Sequence, residues 1–400
     1  MSEVADNRTD LTYGPAAPEE LPRLADVLSH GFGFPREGAL PWFESAGHDN
    51  IRSIRQGGLT VGGLILVPMG HFFGGKSVPT LGVAGVGVSP EHRGARAGTT
   101  LMRSLLAEAH ARRVALSSLY PATVTLYQRA GYERAGARFR IELDPRAMPA
   151  IHAPDALAVH EAPEVVPELR AVYTAYARRH DGFLDRGPYV WSRVTRPRDL
   201  VTKTFAVVGR DGPEGYVVLG HRFHPERDAT HLTLTDAVAT TGRAAARILA
   251  LALEYRSICE RVTWHGSPTS ELVMLLPERH HTVSIPDYFM VRVTHPEAAL
   301  SSRGYPARAA AKLVLELRDA TLPAASGTYA LACSGGAGVA TRASGRPDVV
   351  LDERALASLY TGFATPWALR ALGRLEASDA ACEDLSALFG GPTPCIVDMF

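Results

Sequence analysis

Val86-Gly87-Val88-Ser89-Pro90-Glu91-His92-Arg93-Gly94-Ala95-Arg96-Ala97-Gly98 is the stretch on which the reading of the chain turns. An apolar strand runs into a turn rich in Arg and Gly, and a helix follows with Leu101, Met102, Leu105, Leu106 and Ala109 on one face and mostly charged residues on the other. The first turn of a helix leaves backbone N–H groups without partners, and the helix dipole adds partial positive charge there, so a glycine-rich start flanked by arginines suits a pyrophosphate. The stretch lacks the Lys-Ser/Thr ending of a P-loop and the full glycine set of a dinucleotide fingerprint. A different phosphate-bearing cofactor is expected, held by Val86, Val88, Arg93, Gly94, Arg96, Ala97, Gly98 and Thr99.

Outward from this centre, helical spacing of Leu21, Leu24, Val27 and Leu28 predicts a helix over 18–30, and a second helix holds Trp42 and Phe43. Phe32 and Phe34 stand in a Gly/Pro loop between them. These aromatics read either as lining for a substrate pocket or as cover for a sheet edge, and both readings stay open for Phe32 and Trp42. Strands are predicted over 51–55, 59–69 and 77–88, and again over 114–119. A short helix near 123–130 carries Tyr127 and stops at Gly131. Ala137, Phe139, Ile141 and Leu143 alternate with Arg138, Arg140 and Glu142, the period of a half-buried strand.

A Pro/His/Ala linker begins at Asp144, and the same order of elements then recurs: strands at 204–208, 216–219 and 231–238, a long helix at 243–258, a strand at 262–265. The second copy has one glycine and one arginine where the first has its cluster, and no tyrosine where Tyr127 would recur. From about residue 295 the chain changes to a small-residue α+β segment, with Asp352 predicted to cap one helix and another helix expected over 379–389.

Four hundred residues with 46% hydrophobic and 21% charged composition allow two or three well-cored domains. Lys plus Arg and Asp plus Glu number 42 each, so no nucleic-acid or anionic-membrane partner is indicated by charge. The four cysteines lack metal-like spacing, and no metal is expected. The polar start and the absence of a long apolar run predict a cytoplasmic protein.

Strand, Arg93, Gly98, helix, strand and Tyr127 resemble the acyl-CoA motif of the GNAT N-acetyltransferases. This chain departs from the family pattern at Arg96, which occupies a glycine position. The whole layout resembles the Eis-like branch. That resemblance implies an α/β and α+β architecture with an active GNAT domain over 1–146, a degenerate GNAT domain over 147–294, and a sterol-carrier-protein-like domain over 295–400. It implies acetyl-CoA as co-substrate, a small-molecule amine partner (aminoglycoside, polyamine or lysine-like), a link to antibiotic resistance and assembly as a homo-hexamer, a trimer of dimers. It also implies that Tyr127 is a general acid and that the terminal carboxylate of Phe400 is a base. Asp398 and Met399 precede that terminus and count with Phe32, Phe34 and Trp42 as substrate-side residues. With few acidic residues in the loop or the tail, a less cationic or more apolar amine is expected. Two other readings stand beside this one: an apolar-ligand carrier with a vestigial GNAT half, and a protein-lysine acetyltransferase.

Overall fold

The computed structural model describes residues 11–93, 96–153, 157–197, 200–226, 229–277 and 280–400. The first segment comprises β1 (Leu11–Pro15), α1 (Leu21–Phe32), α2 (Ala39–Ala46), β2 (Ile51–Gln56), β3 (Leu59–Phe73), β4 (Lys76–Val88), α3 (Ala97–Ala111), β5 (Leu116–Leu119), α4 (Val124–Gln128) and β6 (Glu133–Leu143). The second holds β7 (Ala158–Ala162), α5 (Pro167–Ala177), β8 (Leu184–Asp185), α6 (Pro188–Thr195), β9 (Thr202–Gly209), β10 (Gly212–His224), β11 (Ala229–Ala239), α7 (Gly242–Leu253), β12 (Cys259–His265), α8 (Glu271–Met274) and β13 (His281–Val293). The third adds α9 (Pro296–Ser302), β14 (Ala311–Arg318), β15 (Gly327–Ser334), β16 (Ala337–Arg342), β17 (Val349–Asp352), α10 (Glu353–Thr361), α11 (Pro366–Ala371), β18 (Leu375–Ala377) and α12 (Asp379–Phe389). No helix among the described residues is long and apolar enough to cross a membrane.

The two halves of the duplication do not keep separate sheets. One 13-stranded sheet runs β1-β2-β3-β4-β5-β13-β6-β12-β11-β10-β9-β7, with β8 pairing on β3. The halves exchange their last strands: β13 of the second lies antiparallel to β5 of the first, and β6 of the first lies antiparallel to β12 of the second. The predicted boundary at residue 146 therefore divides the chain but not the sheet. The exchange gives the free edges of β5 and β12 backbone partners that each half would otherwise expose.

Packing follows the predicted faces. Leu101, Met102, Leu105, Leu106 and Ala109 of α3 are buried, and Glu108 on the same helix takes Arg52 of β2 and the Tyr13 hydroxyl of β1 at 2.6–2.9 Å. That brace fixes the helix whose start follows the Arg/Gly turn. The five-stranded sheet of the third segment, β16-β15-β14-β17-β18, shares one hydrophobic core with the first half. Tyr329 and Tyr360 fill its interior. Asp352 caps α10 by accepting from the Ala355 N–H, and Gly362, at φ +80°, ends that helix. All four cysteines are buried and unpaired.

Candidate active site

The parallel pair β4 and β5 is in register only from Thr80–Leu116 to Val83–Leu119. Beyond Val83 no pairing with β5 continues, which leaves the edge of β4 from Ala84 to Val88 open. Its pairing with β3 also slips here: Gly63 faces Gly87, yet Ile65 faces Ala84, so Gly85 and Val86 together oppose Leu64. Gly85 sits at φ +58°, the backbone state that a bulge of this kind needs and that other residues resist. The bulge turns backbone groups of β4 toward the opening.

Next to the opening stands the start of α3. Arg96 is its N-cap residue, at φ +64° and ψ +2°, with no side-chain cap. Arg96 thus adopts the left-handed conformation that glycine favours, and its side chain is solvent-exposed. With no capping side chain, the N–H groups of the first turn, at Ala97, Gly98 and Thr99, keep their donors free of intrahelical partners. The nearest atom to a Cβ built on Gly98 is 3.9 Å away, so the protein's own packing does not require glycine there; the missing side chain keeps the approach to the helix start clear. Arg93 is exposed, with its Nε 3.3 Å from the Val88 carbonyl. Gly94 lies outside the described residues. A pyrophosphate at this end of α3 and an extended thioester arm along the open edge of β4 both fit these residues.

The second copy shows what a closed version looks like. Thr241 caps α7, its hydroxyl accepting from the Ala244 N–H. Between β11 and β12 the corresponding wedge is filled by Tyr173, Tyr176, Phe183 and Trp264, which leave a void of only ≈10 Å³. No tyrosine lies on α8.

In the first half, the wedge holds a cavity of ≈220 Å³ whose wall includes Phe32, Trp42, Val86, Tyr120, Tyr127 and Phe400. Tyr127 projects from α4; it is buried, and burial raises its phenol above the ordinary tyrosine range. Two residues 273 positions apart in sequence are thereby brought to one small space. Phe32 and Trp42 stand on this wall, edge-on to each other at 6.5 Å between ring centroids. Phe34 does not line the cavity but supports Trp42 from 5.9 Å.

The tail reaches the cavity along a prepared slot. Ala137 of β6 donates to the Pro394 carbonyl and accepts from the Ile396 N–H, at 3.0 and 3.1 Å. Tyr120 donates to the Asp398 carbonyl at 2.5 Å, and Arg193 Nε to that of Met399 at 3.2 Å. A Cβ on Gly136 would fall 2.5 Å from the Pro394 oxygen, and one on Gly82 3.0 Å from the Phe400 ring, so both glycines are sites of close approach.

Asp398 corrects an expectation. Its carboxylate is not on the cavity wall but buried against Arg186, with Nε at 3.1 Å and Nη2 at 2.8 Å. Arg186 also makes a two-pronged pair with Asp236 at 2.6 and 3.0 Å, and its guanidinium lies 3.7 Å from the Tyr173 ring centroid. Burial pushes the Asp398 carboxyl up despite the pull of Arg186, while burial works against the Arg186 charge and the two aspartates more than restore it. The acid before the terminus fastens the tail instead of meeting a substrate. Met399 is partly exposed outside the cavity. Tyr120, Gly85, Arg186, Tyr189 and Arg193 were not singled out by sequence; Gly85 in the run Val83-Ala84-Gly85-Val86-Gly87-Val88 was the one carrying a visible signal.

Comparison with known proteins accords with this geometry. Family models of the acetyltransferase (GNAT) domain match residues 12–135 and 182–293, and a sterol carrier protein domain matches 296–397. The chain belongs to the GCN5-related N-acetyltransferases, in the layout of two GNAT domains followed by a sterol-carrier-like domain. A GCN5-related N-acetyltransferase from Anabaena variabilis is 31% identical, with 98% of this chain and 100% of that one covered and a TM-score of 0.92. An uncharacterized N-acetyltransferase of Streptomyces griseus is 27% identical over 361 residues, 82% of this chain and 83% of its own. Eis1 from Mycobacterium abscessus shares the fold at 24% identity, covering 98% and 100% of the two chains with a TM-score of 0.79. The protein is therefore an acetyltransferase, and GNAT enzymes use acetyl-CoA as acyl donor.

Proposed function

We propose that the protein transfers an acetyl group to the amine of a small molecule in the Tyr127–Phe400 cavity. The observation that carries this reading is the meeting of the α4 tyrosine and the chain terminus beside the open edge of β4. Acetyl-CoA supplies an activated thioester and a thiolate leaving group. The first turn of α3, with Arg93 and Arg96, holds its pyrophosphate, and the Gly85–Val86 bulge presents backbone N–H to negative charge developing at the reacting carbonyl. Tyr127, kept protonated by its burial, donates to the departing sulfur.

The Phe400 carboxylate accepts the proton of the incoming amine. An α-carboxylate with a pKa of about 3.3–3.7 is a weak base in water. Phe400 lines the cavity with Trp42, Tyr120 and Tyr127, and desolvation of a carboxylate there favours proton transfer from an amine held against it. Assembly as a homo-hexamer belongs to the same reading and is checked by light scattering. The functional test is release of free thiol from acetyl-CoA in the presence of a panel of primary amines. Amine-dependent release is expected, and its absence across the panel would overturn the reading.

A further inference from the structure

The second copy supplies part of the wall of the Tyr127–Phe400 cavity. β8 pairs with β3 at Gly70–Asp185 and His71–Leu184, Arg186 then grips Asp398, and Pro188 opens α6. Tyr189, the next residue, is buried and reaches the cavity from that anchored start. Its hydroxyl accepts from the Trp42 indole at 2.7 Å. Trp42 is itself set edge-on against Phe32 and Phe34, so the Tyr189 oxygen is held in place on the wall.

Among the described residues, five side chains on this wall carry hydrogen-bond donors: Trp42, Tyr120, Tyr127, Tyr189 and Arg193. The Trp42 N–H goes to Tyr189, the Tyr120 O–H to the Asp398 carbonyl and the Arg193 Nε–H to the Met399 carbonyl. In the acetyl-transfer reading the Tyr127 O–H serves the departing sulfur. An indole nitrogen donates and does not accept, so the bond to Trp42 occupies a lone pair of the Tyr189 oxygen and leaves its proton uncommitted. Arg193 lies over the Tyr189 ring, but a guanidinium has no acceptor to offer. No other described residue takes that proton. A donor so placed discriminates: a guest with an oxygen against it is favoured, and a hydrocarbon of the same shape leaves the donor unmet.

We infer that Tyr189 determines acceptor specificity: it donates its phenol O–H to an oxygen of the acceptor, a hydroxyl, ether or carbonyl, a few bonds from the amine nitrogen that meets Phe400. The short spacing follows from the ≈220 Å³ that Tyr189 and Phe400 share. This rests on the acetyl-transfer reading above and narrows its substrate class. It also gives the second copy, whose own wedge is filled, a part in choosing the substrate.

The test uses 2-methoxyethylamine and butylamine, which share one shape and differ by an ether oxygen, an acceptor only, in place of a methylene. Their kcat/KM values with acetyl-CoA in wild type and in Tyr189→Phe form a cycle in which the difference in amine basicity, and any effect of the unmet Trp42 N–H common to both amines, cancels. The ether-to-alkyl ratio is expected to fall by about tenfold in the variant. A side chain that served only to hold Trp42 would cost both amines equally, and an unchanged ratio would overturn the inference while leaving acetyl transfer standing. A second readout needs no turnover: NMR titration with the two acetamides, N-(2-methoxyethyl)acetamide and N-butylacetamide. The ratio of their affinities should shift against the ether by about tenfold in the variant, and an equal ratio in the two proteins would likewise overturn the inference. That shift, with no primary amine acetylated, would uphold the role of Tyr189 and overturn acetyl transfer.

Discussion

Replacing Asp398 by Ala should free the end of the chain without unfolding the protein. The carboxylate and Arg186 are both almost wholly out of water, at 2% and 0% side-chain exposure. Arg186 keeps its two-pronged pair with Asp236 after the change, so its charge is not stranded. The loss is then that of buried donors left unmet, about 1–3 kcal/mol, not the about 3–5 kcal/mol of an orphaned buried charge. At about 1.4 kcal/mol per tenfold, the ratio of docked to released tail falls roughly 5- to 150-fold.

Backbone bonds to Ala137 and Asp181 still hold residues 394–396, so the loosening is concentrated in residues 397–400, where Tyr120, Arg138 and Arg193 each give a single hydrogen bond to a backbone carbonyl. Native-state hydrogen exchange at residues 397–400 and kcat read the two consequences together. Faster exchange and lower turnover are expected, with the melting temperature moving by only a few degrees. Turnover lost with the tail still protected, or both unchanged, would refute the reasoning. The pH sign follows from burial: the folded Asp398 carboxyl is raised, so its contribution is complete below the ordinary aspartate value and is lost as pH rises through the folded one.

Tyr127→Phe should lower kcat by about 10²–10⁴-fold and leave acetyl-CoA affinity within about twofold, since in the proposed mechanism the hydroxyl acts on the leaving group and not on the pyrophosphate; equal losses in both would place Tyr127 in binding. Because burial raises its phenol, its stabilising contribution is complete below about pH 10 and is lost as pH climbs from there toward the folded value. Arg96→Gly removes a left-handed strain of about 1–2 kcal/mol but adds chain entropy of about 0.5–1 kcal/mol. Melting temperature should therefore barely rise, while acetyl-CoA binding by calorimetry weakens several-fold; unchanged affinity would show that the arginine points away. Burial works to raise Glu108, but hydrogen bonds from Arg52 and Tyr13 outweigh it and hold the carboxyl at about 2. The brace on α3 is therefore complete above the ordinary glutamate value of 4.5 and lost as pH falls toward about 2, and the difference in acid-unfolding midpoint between wild type and Glu108→Gln measures it.

Local features were readable in the sequence because local physics sets them. The face of α3, the cap Asp352 and α12 over Asp379–Phe389 all stand where spacing and capping residues predict. The exchanged strands were not readable. Alternation through Ala137, Phe139, Ile141 and Leu143 tells which face of β6 is buried, but carries no information on whether its neighbour comes from the same half. Asp398 misled for a similar reason, since an acid beside a terminus looks like a pocket group until Arg186, 212 residues away, is seen against it.

The proposed mechanism depends most on the Phe400 carboxylate. A Cβ on Gly82 would fall 3.0 Å from the Phe400 ring, so the ring is closely seated and fixes the last residue beside the cavity. Appending a single alanine after Phe400 moves the free carboxylate by one residue, about 3.3–3.6 Å of chain. Steady-state thiol release from acetyl-CoA with a primary amine, measured on the 400-residue chain and on the extended one at equal acetyl-CoA occupancy, is the most direct test. The account predicts that the extended chain loses at least about tenfold in kcat while folding and acetyl-CoA affinity are retained. Equal rates for the two chains would contradict it.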